Sequence, residues 1–167
     1  MIFGSDNQPG ASGQILDTIN LANTDFSHGY GDDDWTKQAI AALKKIFECD
    51  LEVYFVTTGT AANSLALSCM VQPWDTILCH HQAHILQDES TAPEHFTGGA
   101  RMRPVTKTVG KITTDHLERD FKNALNETPH NSIATALSIT QVNELGLVYT
   151  PDEIAALCTI AKTEGLR

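Results

Sequence analysis

An apolar run that leads directly into a Thr-Gly-Thr turn is the feature that most constrains the fold of this chain. Val53 to Val56 has a strand pattern, Thr57 to Thr60 forms a tight turn, and Ala61 to Met70 has a helix pattern. Such a turn directs free backbone N–H groups and the positive end of a helix dipole to one point. Gly59 lets a ligand approach the backbone, and Thr60 adds a hydroxyl donor. The segment is a candidate phosphate site, although ordinary capped turns carry the same residue types.

Strand and helix patterns alternate along the rest of the chain, after two helices near its start. We expect those first helices over Ser12–Asn23 and Trp35–Phe47, because apolar residues recur at helical spacing in both. Such alternation predicts an α/β fold with a mostly parallel sheet. In chain order, the later elements are expected as strand 52–57, helix 61–70, strand 76–80, a short helix from 83, strand 101–105, a helix capped by Thr113 or Thr114, strand 134–139 and a final helix from 151.

The final helix has the strongest start signal in the chain. Thr150 is a helix cap, Pro151 suits the first turn, and Glu153 completes a capping box. Gly165 can end this helix, and the alternation then predicts a further strand. We therefore expect residues 51–167 to be the first part of a larger domain that is incomplete at its carboxyl end. Residues 1–50 are expected to form a helical arm that leads into it.

Composition and charge narrow the classes of function. Hydrophobic residues make up 41% of the 167 residues, which suits a globular protein, and the formal net charge of −10 opposes nonspecific binding to nucleic acids or anionic membranes. No basic leader precedes an apolar segment, and no apolar run is long enough to span a bilayer. Four widely spaced cysteines suggest reduced core thiols, so we expect a cytoplasmic protein.

Three loops are expected to meet at one edge of the predicted sheet, because ligands of open parallel sheets bind beyond the carboxyl ends of the strands. These loops are Thr58–Thr60, His80–His84 and Thr140–Glu144. In the second loop, His84 lies where a helix begins. It could stack on a planar cofactor, exchange protons near pH 7, or simply cap the helix.

Two other clusters are weaker candidates. Cys79, His80 and His81 are of the types that bind zinc, but no second ligand pair follows at a recognisable spacing, so no metal site is predicted. Asp88 and Glu89 are adjacent, and adjacent residues of a helix do not face each other. We therefore do not expect these two carboxylates to share a proton.

Several motifs resemble those of one family in their order along the chain. They are Ser5-Asp6-Asn7, Tyr30-Gly31-Asp32-Asp33, Thr58-Gly59-Thr60-Ala61-Ala62-Asn63, Ala83-His84-Ile85, Gly98-Gly99-Ala100, Gly110-Lys111-Ile112-Thr113 and the stretch from Thr140 to Tyr149. Over essentially its whole length, the chain resembles the low-specificity threonine aldolases, in the β-eliminating lyase group of fold type I pyridoxal-phosphate enzymes. The resemblance implies the large domain of that fold.

The resemblance also implies a function and a set of site residues. It implies an enzyme that uses pyridoxal 5′-phosphate to cleave β-hydroxy amino acids, such as threonine and allo-threonine, to glycine and an aldehyde. On matching positions, Gly59 and Thr60 would hold the cofactor phosphate, and His84 would stack on the cofactor ring. Ser5 would bind the substrate carboxylate, and Tyr30 would lie near the site of a neighbouring subunit. Since the family forms dimers or tetramers, we expect a homo-oligomer.

Two departures from the family pattern bear on activity. Many members carry a histidine in the loop that corresponds to Asn143–Gly146, and Glu144 takes its place here. A carboxylate can also move a proton, so His84 and Glu144 are the catalytic candidates. Members continue with an Asp-Gly-Ala-Arg strand and a lysine that binds the cofactor covalently, and no lysine of this chain matches that position.

We therefore expect this chain, alone, to be an inactive amino-terminal fragment of a threonine-aldolase-like lyase. Two alternatives stay open. The chain could be one subunit of a split enzyme that a second chain completes. It could also be a noncatalytic phosphate- or metal-binding module built from the same loops.

Overall fold

The computed structural model describes residues 8–24, 26–106, 108–126 and 129–167. The chain divides into two compact units, Met1–Phe55 and Val56–Arg167. The division expected at residue 50, into an arm and a cofactor domain, stays a prediction. Among the described residues, no helix is long and apolar enough to cross a membrane.

The described residues of the first unit form two helices, α1 (Gly13–Ala22) and α2 (Asp34–Phe47). Each begins at a side-chain cap. Ser12 accepts a hydrogen bond from the Ile15 N–H at 3.4 Å, and Asp33 accepts one from the Thr36 N–H at 2.8 Å. Both helices are confirmed to within one residue of their predicted bounds. None of the described residues of this unit is buried, so its apolar stripes are exposed or only partly buried.

In the part of the second unit that the structure describes, three strands form the centre: β1 (Thr76–Cys79), β2 (Arg101–Pro104) and β3 (Ala134–Leu137). They form a parallel sheet in the order β2-β1-β3. All four residues of β1 are buried, as expected for a central strand that is covered on both faces. The predicted α/β fold with a parallel sheet is confirmed.

The helices of the second unit cover the two faces of this sheet. Side chains alternate along β1, so Ile77 and Cys79 join one hydrophobic cluster and Leu78 joins the other. The cluster of Ile77 includes Leu67 and Ile85, and the cluster of Leu78 includes Leu117 and Leu157. The helices of this unit are α3 (Gly59–Met70), α4 (His84–Gln87), α5 (Ala92–Phe96), α6 (Thr114–Asn126) and α7 (Pro151–Thr163).

The strand predicted at residues 52–57 is wrong. This segment has no regular structure, and the side chains of Tyr54 and Phe55 are exposed. A strand needs a hydrogen-bonded neighbour, and among the described residues no backbone hydrogen bond joins residues 52–57 to β1, β2 or β3. The apolar pattern indicates a segment that is suited to a sheet, but it cannot supply the partner. The sequence pattern also does not predict the short helix α5.

The predicted cap of α7 is confirmed. The Thr150 hydroxyl accepts a hydrogen bond from the Glu153 N–H at 3.2 Å, and the Glu153 carboxylate accepts one from the Thr150 N–H at 2.7 Å. Gly165, with a φ of +74°, follows the end of the helix. A left-handed conformation of this kind favours glycine, as the sequence predicts for the stop.

The backbone of Arg167 lies along the edge of β3. Its N–H donates to the Thr135 carbonyl, and its own carbonyl accepts from the Leu137 N–H, both at 2.9 Å. In a parallel strand pair, a residue bonds to the two residues that flank its partner on the neighbouring strand, and Thr135 and Leu137 flank Ala136 in this way. The edge of β3 is therefore competent to pair with a further strand.

The cysteines differ from the expectation of core thiols. Cys79 is buried on β1, whereas Cys49, Cys69 and Cys158 are exposed free thiols. The expectation is correct for Cys79 and wrong for Cys69 and Cys158. These two lie in helical segments with apolar periodicity, but on positions that the sheet does not cover.

Candidate active site

The Thr-Gly-Thr turn lies at the N-terminus of α3. Thr58 caps the helix, and its hydroxyl accepts a hydrogen bond from the Ala61 N–H at 3.1 Å. Within the described ranges, the N–H groups of Gly59 and Thr60 have no backbone acceptor. A Cβ added at Gly59 would meet no atom within 4 Å, so the space beside this glycine is open. Free N–H groups at the positive end of a helix, with open space in front of them, suit a phosphate.

His84 is the first residue of α4, where β1 has just ended. Its ring Nδ1 lies 2.8 Å from Oε1 of Glu89. The side chain of His84 is 54% exposed, whereas that of Glu89 has no exposed surface. The imidazole is therefore half open to solvent and is tethered to a buried carboxylate.

Asn63 connects this histidine to α3. Its Nδ2 donates to the same Oε1 of Glu89 at 2.7 Å. Because Asn63 follows Gly59 by four residues and Thr60 by three, these residues share one side of the helix. Glu89 therefore links the imidazole of His84 to the side of α3 that carries the candidate phosphate site.

Glu144 reaches His84 from the loop that follows β3. One carboxylate oxygen, Oε1, accepts from the backbone N–H of His84 at 2.6 Å and from the Thr140 hydroxyl at 3.3 Å. Ala83, which precedes α4, offers no side-chain cap, so Glu144 takes that role. The structure thus brings the two catalytic candidates, His84 and Glu144, into direct contact. A role of Glu144 in proton transfer stays a prediction.

Two amide side chains stiffen the loop that carries Glu144. Asn143 Oδ1 accepts from the N–H groups of Leu145 and Leu147, at 3.1 and 2.9 Å. Gln141 pairs with the backbone of Tyr149, donating to its carbonyl at 2.8 Å and accepting from its N–H at 2.9 Å. Internal hydrogen bonds of this kind replace those of a strand or helix, and they fix the loop from which Glu144 projects.

Cys79 and His80 lie behind this site, at the end of β1. Burial raises the pKa of the Cys79 thiol to about 12, and the carboxylates of Glu94 and Glu144 act in the same direction. Burial also lowers the pKa of His80, helped by His81 and opposed by Glu144. A protonated thiol and a neutral imidazole are the resulting forms near pH 7. Within the described ranges, no three His, Cys, Asp or Glu side chains are placed to hold a metal ion.

The structure does not describe the contacts predicted for the two substrate-binding residues, Ser5 and Tyr30. Ser5 lies outside the described residues. Tyr30 belongs to the first unit, where its side chain is fully exposed and its φ is +61°. The contacts expected of both residues stay predictions.

Asn63 and Glu89 contact the candidate site residues, and the sequence does not single them out for that contact. Asn63 lies within the quoted helix motif, and Glu89 follows His84 by five residues. The one available signal was the spacing of Asn63 from Gly59, one helical turn along the same side. The burial of Glu89 depends on tertiary packing, so local sequence could not reveal it.

Comparison with known proteins identifies the family. The family model of the β-eliminating lyases matches residues 3–167. The chain belongs to this family. It is 38% identical over 165 residues to the low specificity L-threonine aldolase of Pseudomonas sp. (strain NCIMB 10558), and 37% identical over 164 residues to that of Pseudomonas aeruginosa. Both matches cover 98% of this β-eliminating lyase chain and 47% of the relative, so the chain spans about half the length of these curated relatives.

Solved structures agree with this assignment. Leishmania major threonine aldolase matches with a TM-score of 0.84 and 26% identity, over 95% of this chain and 46% of that one. N-succinyldiaminopimelate aminotransferase from Mycobacterium tuberculosis matches with a TM-score of 0.57 and 22% identity, over 90% of this chain and 38% of that one, and shows the fold alone. Both neighbours have the type I fold of pyridoxal-phosphate enzymes, which confirms the predicted fold of this β-eliminating lyase. Threonine aldolases and β-eliminating lyases depend on pyridoxal 5′-phosphate.

Proposed function

We propose that this β-eliminating lyase chain carries the first cofactor-binding part of a threonine-aldolase-like enzyme. The enzyme would cleave a β-hydroxy amino acid, such as threonine or allo-threonine, to glycine and an aldehyde. The observation that carries the proposal is the link from Asn63 through Glu89 to His84, which ties a candidate phosphate site to a half-exposed imidazole. The chain is 38% identical to a low specificity L-threonine aldolase over 98% of its length, and this similarity supports the substrate class.

The residues present fit pyridoxal 5′-phosphate. The open space at Gly59 and the adjacent free N–H groups suit its phosphate, and the Thr60 hydroxyl can add a donor. The imidazole of His84 offers a flat surface to a planar ring. The bound cofactor supplies an electron sink for breaking a bond at the substrate Cα. His84 and Glu144 would orient the bound groups and hold or move a proton.

We propose that this chain alone binds the cofactor without turning over threonine. The Lys111 ammonium is held by both oxygens of Glu153, at 2.6 and 2.7 Å, and by the Val148 carbonyl at 3.0 Å. Lys37 and Lys44 form ion pairs with aspartates of the first unit. These three ammonium groups are paired with carboxylates, which disfavours Lys37, Lys44 and Lys111 as sites of covalent attachment to the cofactor.

Equilibrium dialysis with pyridoxal 5′-phosphate and with unphosphorylated pyridoxal tests the phosphate site. We expect Gly59→Ala to weaken binding of the phosphorylated form at least about tenfold, or about 1.4 kcal/mol, because the added methyl group occupies the open space. Binding of pyridoxal should change much less. The matched control is Gly13→Ala, which also places a methyl group in open space at the first residue of a capped helix. Equal affinity of the wild type and Gly59→Ala for the phosphorylated form would contradict the site.

Two further readouts on the same samples test catalysis by the chain alone. Borohydride reduction followed by peptide mass mapping should find no single lysine joined to the cofactor in stoichiometric amount. Incubation with threonine should release no glycine above the rate with free cofactor. A specifically modified lysine, or glycine release that requires the protein, would overturn the proposal of inactivity.

A split enzyme is the second candidate, and the edge of β3 favours it over a noncatalytic module. The bonds of Arg167 to Thr135 and Leu137 show that this edge can pair with a parallel strand, which a second chain could supply. A companion polypeptide that co-purifies with this chain and restores glycine release would select the split enzyme. No contact in the described part of the chain favours a metal-binding module. Assembly into dimers or tetramers and a cytoplasmic location also stay predictions.

A further inference from the structure

The carboxylate of Glu89 lies fully buried behind an imidazole that is half exposed. We propose that Glu89, held in place by Asn63, is a positioning residue that keeps His84 protonated at Nδ1 and leaves Nε2 as its free proton acceptor. The catalytic meaning of this arrangement rests on the proposed function. The protonation pattern itself is a property of the chain without cofactor.

The hydrogen bonds around Glu89 determine which nitrogen of His84 carries the proton. A carboxylate only accepts hydrogen bonds, and one of its oxygens can accept more than one. Oε1 of Glu89 accepts from Nδ2 of Asn63 at 2.7 Å, and Nδ1 of His84 lies 2.8 Å from the same oxygen. Nδ1 must therefore carry a hydrogen, and in a neutral imidazole Nε2 then carries none.

Burial makes this arrangement more selective than an exposed ion pair. Water cannot compete for the Glu89 carboxylate, which has no exposed side-chain surface. Hydrogen bonds to a charged group are stronger than neutral ones, and a low local dielectric strengthens them further. Glu144 meanwhile holds the backbone N–H of His84 at 2.6 Å, so both the main chain and the ring of this residue are anchored.

The second oxygen of Glu89 argues against a purely structural role. In the described structure, Oε2 is buried and has no hydrogen-bond partner. Burying a carboxylate with one oxygen unpaired costs free energy, and an apolar residue of similar size would pack without that cost. Such a cost is typical of residues that are retained for a site. The geometry thus points to Glu89 as the group that orients His84.

Nitrogen-15 NMR of the histidine side chains tests this inference on the chain without cofactor. Long-range proton–nitrogen correlations distinguish a protonated ring nitrogen from a bare one, and His84→Gln assigns the signal among the seven histidines. At a pH where His84 is neutral, we expect Nδ1 to have the shift of a protonated nitrogen and Nε2 that of a bare one. Free histidine prefers the opposite form, so a wild-type His84 with its proton on Nε2 would overturn the inference.

Glu89→Gln is the decisive variant, since it keeps the shape and removes the charge. An amide attracts the Nδ1 proton less strongly than a carboxylate does, so we expect the two nitrogen signals of His84 to move toward the form protonated at Nε2. Asp88→Asn is the matched control, because it removes the adjacent carboxylate, which is exposed, and should leave both signals unchanged. An unchanged His84 spectrum in a folded Glu89→Gln would refute the role of Glu89. If Glu89→Gln does not fold, the wild-type spectrum alone decides.

The outcome can be separated from that of the proposed function. Failure to bind pyridoxal 5′-phosphate, with His84 protonated at Nδ1, would remove the proposed function and keep this inference. Cofactor binding, with His84 protonated at Nε2, would keep the proposed function and remove this inference. The two readouts use the same protein and need no turnover.

Discussion

Burial determines the chemistry of Cys79. Its thiol has a pKa raised to about 12 and no exposed surface, whereas Cys49, Cys69 and Cys158 are exposed. Because the thiolate is the reactive form, we expect Ellman's reagent to react quickly with three thiols of the native protein and with the fourth only after unfolding. In Cys79→Ala, all remaining thiols should react in the native state. Four fast thiols in the wild type would show that β1 is not buried as described.

The two histidines at either end of the loop after β1 show how strongly local environment separates identical side chains. His80 is 5% exposed, its Nδ1 accepts from the Gln82 N–H at 3.2 Å, and burial lowers its pKa. His84, four residues later, is half exposed and faces a carboxylate instead. The first histidine is held neutral inside the protein, while the second is free to meet a ligand. Of these two histidines, His84 is therefore the one that solvent can reach.

At the scale of elements, α7 depends on a cap that contains an ionisable group. Hydrogen bonds from the side chain of Lys111 and the backbone of Thr150 lower the pKa of Glu153 below its usual 4.5. A lowered pKa means that the stabilising contribution is complete above the unfolded value and is lost as the pH falls through the folded value.

Acid titration of stability tests this cap. We expect the urea midpoint of the wild type to fall as the pH is lowered from about 6 to about 3, and we expect Glu153→Gln to reduce that fall. Asp152→Asn, which removes the adjacent exposed carboxylate, should retain the acid dependence of the wild type. Identical pH profiles for Glu153→Gln and the wild type would show that the cap does not contribute.

On the scale of the whole molecule, the hydrophobic core of the described residues lies within the second unit. Both hydrophobic clusters lie within Val56–Arg167, and none of the described residues before residue 56 is buried. A unit that contains its own core can fold alone. The described residues of the first unit form two capped helices and contain no such core.

Truncation tests this division of the core. We expect residues 56–167, expressed alone, to retain the circular-dichroism spectrum of a folded α/β domain and to unfold cooperatively. The midpoint should be lowered by less than about 4 °C, which corresponds to about 1 kcal/mol for a domain of this size. Residues 1–55 alone should show no cooperative transition. Loss of cooperative unfolding in 56–167 would mean that its core needs residues of the first unit.

Several elements and part of the site follow from local sequence. Ser12, Asp33 and Thr150 are caps because their short polar side chains satisfy N–H groups within the first helical turn, and neighbours in sequence suffice for that. The Thr-Gly-Thr turn and His84 can be predicted from the sequence in the same way, through turn chemistry and motif order. The conformation of residues 52–57 cannot be predicted in this way, because an apolar pattern does not specify whether a strand is available to pair with the segment.

By itself, the sequence determined the helix caps, the alternation that predicts an α/β fold, and the order of motifs that identifies a β-eliminating lyase. Tertiary structure decided which side chains meet. Asn63 and Glu89 are 26 residues apart, and His84 and Glu144 are 60 residues apart. Capping and periodicity depend on residues within a turn or two, whereas burial and hydrogen-bond partners depend on which distant segments the sheet brings together.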